Sequence, residues 1–361
     1  MGFRDYYRQF DDIDEAALNL ERRERRRQEK AAALARPPDI DLSGTEWPDL
    51  PHSEIVNAAI ARARGFVQRY PDRHATSVRR LLADRHGVSP DQIALGNGAA
   101  ELLQSAALAL LAAGDELVTP WPSYPLYPLL AAHAEATPVP VTEGNLLDSV
   151  NDRTKAIVIC NPNDPTGSYL PSAELRDLLA ALPDHVGVLL DEALVHFQSV
   201  EEVDACLRLV SEFPRLLVVR SFSKIYGLSG LRAGYAISSD SRLLAAVAPV
   251  LGINALTQAA IEYALRTGDA EIERRRAAVA REREVLTDQL RGMGVDVSDS
   301  QANFLWIRVP DMSGDQLANA LRKQGVIVAP GGPLGEDHHI RASILGEAAT
   351  NRLLRAIENA L

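Results

Sequence analysis

The sequence predicts a mainly parallel, doubly wound α/β domain, followed by a smaller α+β unit and preceded by a helical N-terminal extension. Three observations predict it. From Pro51 onward, short apolar runs alternate with helical patterns, as expected of strands buried on both faces and covered by crossover helices. After about Gly252 the order changes to long helix, strand, helix, strand pair and final helix, which reads as a separate α+β unit. Before residue 37, no Gly or Pro interrupts the stretch from Asp14 to Arg36. The expected boundaries are an arm and connector at 1–50, a large domain at 51–252 and a small C-terminal domain at 253–361. A chain of 361 residues is long enough for two packed domains.

Taken in order, residues 14–36 predict a polar helix that stops before Pro37-Pro38, since proline cannot continue it. The run ERRERRRQEK at 21–30 has two readings, a basic nucleic-acid patch or a solvated helix face, and its mixed signs of charge, with Glu21 and Arg25 at i,i+4 spacing, favour the second. The segment 41–51 reads as an irregular connector. Strands are predicted at 92–96, 115–120, 156–160, 186–191 and 215–223, with helices at 98–113, 171–182 and 201–211 between them. The C-terminal part predicts a helix over 255–292, a strand at 303–309 and helices at 314–324 and 347–360.

Composition narrows the function classes. Hydrophobic residues at 46% and charged residues at 24% are ordinary for a globular protein, which excludes collagen-like and wholly disordered chains. Two cysteines, Cys160 and Cys206, cannot form a disulfide framework and fit a reducing, cytoplasmic compartment. The longest apolar stretch, Ala106 to Ala113, is too short to span a bilayer, so no membrane partner is expected. A net charge of −11 argues against a nucleic-acid partner. No metal site is expected either.

The chemistry gathers where strands end, as it does in open α/β sheets. The first predicted strand runs through Gly96-Asn97-Gly98-Ala99-Ala100 straight into a helix, where glycines admit close approach and free N–H groups attract a phosphate. A plain strand-to-helix turn explains that segment equally well. The strand at 156–160 ends in Asn161-Pro162-Asn163-Asp164-Pro165-Thr166-Gly167, whose turn residues fix a rigid loop. Another strand ends on Asp191; the last ends on Ser221-Phe222-Ser223-Lys224, followed by Arg232. A lone lysine is usually a surface residue and a lone aspartate a helix cap. Together they offer an amine for a Schiff base, an acid for a pyridinium nitrogen and donors for a phosphate.

With these motifs the chain resembles the fold-type I PLP-dependent aminotransferases, and within them the histidinol-phosphate aminotransferase-like group. The matching stretches are GNGAAELL, PWPSYPLY, NPNDPTG, DEALVHF, SFSKIYGLSGLRAG, SQANFLWI and IRASI, in the family's order from about residue 40 to 350. The resemblance implies pyridoxal 5'-phosphate as cofactor, carried as an aldimine on Lys224, which also moves the substrate proton. It implies that Asp191 pairs with the pyridine nitrogen and Tyr124 stacks on the ring. Gly98, Ala99, Ala100, Ser221, Ser223 and Arg232 are the implied phosphate cup. Asp164 stands at a cofactor-contacting position, and Tyr70 matches a tyrosine that reaches the phosphate of the other subunit. A homodimer with shared sites follows. Arg341 and Asn303 are the implied holders of the substrate carboxylate, an arginine fork matching a carboxylate in bidentate fashion. Trp47 and Leu50 lie near the family's substrate-contacting N-terminal residues.

The chain departs from the family at Asp164, where asparagine is usual, and at Leu194, where tyrosine is usual. Both family residues donate to the cofactor's 3-oxygen. Ala99-Ala100 also replaces a polar pair. The leading expectation is transfer of an amino group between an L-amino acid, or an amine such as histidinol phosphate, and a 2-oxo acid. The same lysine and aspartate would equally serve a decarboxylase or oxidase-like PLP enzyme. A non-catalytic PLP-binding module is the third reading, against which the retained carboxylate clamp argues.

Overall fold

A computed structural model describes residues 22–27 and 38–361. By its internal contacts the chain divides into Met1–Ile40 and Asp41–Leu361. In the first unit residues 22–27 are helical; the rest of the helix predicted over 14–36 lies outside the described residues.

The second unit begins with the connector, continues through helices α1 (Ser53–Phe66) and α2 (Thr76–His86), and then builds a seven-stranded sheet. Its strands are β1 (Ile93–Gly96), β2 (Glu116–Pro120), β3 (Thr137–Val141), β4 (Thr154–Cys160), β5 (Gly187–Asp191), β6 (Leu216–Ser221) and β7 (Gly234–Ile237). They lie in the order β1-β7-β6-β5-β4-β2-β3, parallel except for β7, which runs antiparallel to both neighbours. The central strands β5 and β6 are buried at every position, in keeping with near-continuous apolar sequence. Helix α3 (Ala99–Leu110) presents Leu102, Leu103, Ala106 and Ala107 to the sheet at helical spacing, and all four are buried. Each such leucine contributes about 2 kcal/mol of apolar burial. Helices α4 (Leu126–His133) and α5 (Ser172–Ala181) follow β2 and β4, and α6 (Ser241–Val247) follows β7.

Two strands of this sheet carry no clear signal in the sequence. The sequence of β3, TPVPV, carries Pro138 and Pro140 and so reads as a poor strand, but β3 is the edge of the sheet, where the missing N–H groups interrupt no ladder. The strand β7 follows the Gly230–Gly234 loop directly and was absorbed into it. Two predicted helices need correction. The stretch 201–211 forms turns and a 3₁₀ segment at Leu207–Ser211, because the Val203 carbonyl and Asp204 carboxylate are held by Arg220. The helix predicted over 255–292 is two, α7 (Ala255–Thr267) and α8 (Asp269–Gly292), broken at Gly268.

A second, four-stranded antiparallel sheet forms from β8 (Asp296–Val297), β9 (Phe304–Arg308), β10 (Ala329–Pro330) and β11 (Ile340–Ser343), in the order β10-β11-β9-β8. Helices α9 (Gly314–Lys323) and α10 (Glu347–Glu358) belong to this part of the chain, and a Ser313–Gln316 capping box starts α9. The connector is ordered against it: Leu42 N–H donates to the Ile327 carbonyl at 2.7 Å, and the Leu42 carbonyl accepts from Ser343 N–H at 2.9 Å. No helix among the described residues is long and apolar enough to cross a membrane.

Candidate active site

Parallel pairing brings the carboxyl ends of β4, β5 and β6 side by side, with Cys160 in register with Asp191 and Asp191 with Val219. The predicted residues that follow these strands therefore converge. Asp164, Asp191, Ser221, Ser223 and Lys224 line a cavity of about 200 Å³, joined there by Ala99 and Ala100 after β1, Tyr124 after β2 and Arg232 before β7. Tyr70 lies elsewhere, 87% exposed on the surface.

At one end is a cup of donors. Helix α3 is preceded by Gly98, whose φ of +99° favours glycine, and no side chain caps the helix start. A Cβ on Gly98 would collide with Arg232 Nη2, and one on Gly234 would stand 2.7 Å from the Ala99 nitrogen. The two glycines thus let the arginine and the uncapped helix start approach each other. Arg232 Nη1 donates to Ser223 Oγ at 3.4 Å, and Ser223 N–H donates to Ser221 Oγ at 3.0 Å. Uncapped amides, two hydroxyls and a guanidinium fit a phosphate.

At the other end Asp191 is buried, and burial pushes its carboxyl up to about 6, against the Ala193 amide and the Tyr127 hydroxyl. Ala193 N–H donates to Oδ1 at 3.0 Å and Tyr127 Oη–H to Oδ2 at 3.1 Å. Each carboxylate oxygen retains a lone pair for a further donor such as a pyridinium N–H. Tyr127 escaped the sequence reading, although its i,i+3 spacing from Tyr124 was a usable signal. The two rings meet edge-on at 5.8 Å.

Lys224 lines the same cavity, and burial lowers its pKa while Asp164 and Glu46 oppose the shift. Its Nζ donates to Thr45 Oγ1, a contact across 179 residues that no local pattern announces. Glu46 and Cys160 also line the cavity, and Leu194 lines it without bringing a donor. The donor cup, the buried acid and the lysine of lowered pKa together fit PLP.

The loop 161–167 is held rigidly. Asn163 Oδ1 accepts from Ser123 Oγ at 2.7 Å, and its Nδ2 donates to the Pro122 carbonyl at 3.0 Å and to Thr166 Oγ1 at 2.8 Å. The loop directs Asp164 at Arg341, whose Nη1 lies 2.5 Å from Asp164 Oδ1. Arg341 Nη2 donates to the Ser43 carbonyl at 2.6 Å. Asn303, buried beside the connector, donates to the Thr45 carbonyl at 3.1 Å and leaves its Oδ1 without a partner. Trp47 packs under Arg275, 4.6 Å from guanidinium to ring, while Leu50 is 91% exposed.

Comparison with known proteins gives a consistent picture. Residues 37–357 match the profile of the family described as aminotransferase class I and II. The chain is 35% identical over 332 residues to an aromatic amino acid aminotransferase of Cutibacterium acnes, covering 89% of this chain and 92% of that protein. It is also 35% identical over 331 residues to histidinol-phosphate aminotransferase 1 of Nitrosococcus oceani, covering 89% of each. Among solved structures, aspartate aminotransferase from Thermotoga maritima superposes with a TM-score of 0.82 at 22% identity, covering 96% of this chain and 97% of that one. Histidinol-phosphate aminotransferase from Sinorhizobium meliloti, in complex with pyridoxal-5'-phosphate, gives 0.78 at 24% identity, covering 90% and 92%. The last two likenesses speak to the fold.

Proposed function

The chain belongs to the class I and II aminotransferase family, an enzyme family that moves amino groups between amino acids and 2-oxo acids, and from that premise we propose that it does so with pyridoxal 5'-phosphate held on Lys224. The observation that carries this reading is the convergence of Lys224, Asp191 and the Ser221–Ser223–Arg232 cup on one cavity. When bound, the cofactor supplies an electron sink for cleavage at the substrate's Cα. The protein's residues do the rest. Arg232, the two serines and the amides of Ala99 and Ala100 hold the phosphate. Asp191 holds a proton at the ring nitrogen, itself positioned by Tyr127. Tyr124 covers the ring. Lys224, its ammonium form disfavoured by burial, takes and returns the proton at Cα. Arg341 and Asn303 receive the α-carboxylate.

For the substrate we propose an aromatic amino acid, on the strength of the Cutibacterium relative and of one from Streptomyces coelicolor that is 37% identical over 311 residues. The test is to add L-phenylalanine, L-tyrosine or histidinol phosphate to the holoenzyme and follow its visible band. An aromatic donor is expected to convert the band to that of the pyridoxamine form, and a 2-oxo acid to restore it. Loss of carbon dioxide without that conversion would move the enzyme to the decarboxylase class.

We further propose a cytoplasmic homodimer. Tyr70, Val250 and Leu251 are strongly exposed and Val56, Ile60 and Phe66 partly so, which supports a partner copy covering α1 and its neighbours, with Tyr70 reaching across. Residues 51–252 then act as the cofactor-holding domain and 253–361 as the smaller domain that carries Asn303 and Arg341, with 1–50 as arm and connector.

Asp191 also yields a pH prediction. Its carboxyl is raised from 3.8 to about 6, so its stabilising contribution is complete below 3.8 and is lost as pH rises through about 6. In protein stripped of PLP, the melting temperature is expected to fall more steeply over that window for wild type than for Asp191→Asn. Parallel profiles would show that Asp191 titrates as an ordinary carboxylate.

A further inference from the structure

We propose that Asp164 is a resident occupant of the Arg341 clamp, so that a ligand's carboxylate binds only by displacing it and Asp164 sets how strongly carboxylate ligands are taken up. The proposal rests on the reading that Arg341 receives the substrate's carboxylate. Arg341 Nη1 is taken by Asp164 at 2.5 Å and Nη2 by the Ser43 carbonyl at 2.6 Å, leaving Nε buried with no hydrogen-bond partner. Both side chains of the pair are about nine-tenths buried. A bidentate carboxylate needs two adjacent donors of the planar fork, and each pairing available here includes a nitrogen already engaged. The fixed 161–167 loop keeps Asp164 in place rather than letting it drift toward solvent.

The surrounding charges make the exchange a matter of protons. Asp164 is faced by Arg341 from β11, Lys224 after β6, Asp191 at the end of β5, Cys160 in β4, Tyr124 before α4 and Glu46 in the connector. A second carboxylate on Arg341 would join the carboxylates of Asp164, Asp191 and Glu46 around Lys224, which in the holoenzyme is engaged with the cofactor. Like charges sharing a buried site drive one of them neutral. The balanced exchange takes up one proton: ligand carboxylate, Asp164–Arg341 ion pair and H⁺ give a ligand carboxylate–Arg341 pair and one proton held among the carboxylates that line the cavity. No proton is needed when asparagine stands at this position.

The experiment titrates the holoenzyme by calorimetry with 3-phenylpropanoate, which has the carboxylate but no reactive amine, and with 3-phenylpropanamide as its uncharged match. Wild-type affinity for the carboxylate is expected to weaken with rising pH, approaching roughly tenfold per unit, while affinity for the amide stays level. Asp164→Asn is expected to tighten carboxylate binding at pH 8 by roughly tenfold or more and to flatten its pH dependence. A carboxylate affinity that is level with pH in wild type, or no tightening in a folded Asp164→Asn, overturns the proposal. If Asp164→Asn does not fold, the wild-type pH profile against the amide decides alone. Arg341→Lys separates the two levels: carboxylate affinity unmoved by it refutes the clamp itself, whereas affinity lost with Arg341 but unmoved by Asp164→Asn refutes the occupant alone.

Discussion

Lys224→Ala is expected to abolish the protein-linked visible band of PLP and to reduce transamination to background, a loss of several orders of magnitude for an enzyme whose covalent anchor and proton carrier are one residue. The fold should survive, because Lys224 Nζ makes one side-chain hydrogen bond, to Thr45, in a cavity already lined by polar groups. Borohydride reduction of the wild type followed by peptide mapping should place the label on Lys224. A label on Lys155 or Lys323 would refute the assignment. Far-ultraviolet dichroism of the variant distinguishes a missing anchor from an unfolded chain.

The largest stability effect is expected away from the reacting groups, at Arg220. This β6 residue is 1% exposed and clamps three partners: Glu192 at 2.7 Å, Asp204 at 2.6 Å and the Val203 carbonyl at 2.8 Å. Asp204 is joined in turn by His86 Nδ1 at 2.9 Å, and His86 Nε2 meets the Tyr235 hydroxyl at 3.1 Å. Removing one member of a buried ion pair strands the other, which costs about 3–5 kcal/mol. Arg220→Ala should therefore lower the unfolding free energy by about that amount. Burial already pushes Glu192 up to about 7 with Arg220 opposing. A carboxyl raised in the folded state loses its stabilising contribution as pH rises, so the deficit of Arg220→Ala should grow from pH 5 to pH 8. Denaturant unfolding at both pH values measures this, and Glu192→Gln added to Arg220→Ala should recover part of the loss. A deficit that shrinks with rising pH would mean that Glu192 is not the stranded partner. Because Glu192 follows Asp191 directly, cofactor retention should weaken in parallel.

Much of this was legible in the chain. Apolar runs at 92–96, 115–120, 156–160, 186–191 and 215–223 announced five strands of the large sheet within a residue or two at most boundaries. Turn chemistry after those strands announced Asp164, Asp191, Ser221, Ser223, Lys224 and Arg232 among the residues that line the cavity, but not Glu46 or Ser229. The misses have local causes. Prolines hid β3, since whether a proline is tolerated depends on having no neighbour on one side. Helical spacing ran unbroken through Gly268, and a single glycine does not declare itself as a boundary. The 201–211 segment has helical spacing, yet its carbonyl and carboxylate are recruited by Arg220 from β6.

By itself the sequence determined that Asp164, Asp191 and Lys224 stand at or just past the carboxyl ends of β4, β5 and β6, because strand periodicity and turn residues are properties of a few consecutive positions; that these ends lie side by side follows from the parallel pairing of the three strands. Only the tertiary structure decided which partner each of them takes. Tyr127 meets Asp191 across 64 residues, Thr45 meets Lys224 across 179, and Arg341 takes Asp164 across 177. The physical reason is that a buried charge must find its counter-charge or donor among whatever the packed chain brings within about 3 Å. That choice is made by the juxtaposition of the connector, the two sheets and the 161–167 loop, which no stretch of neighbouring residues encodes.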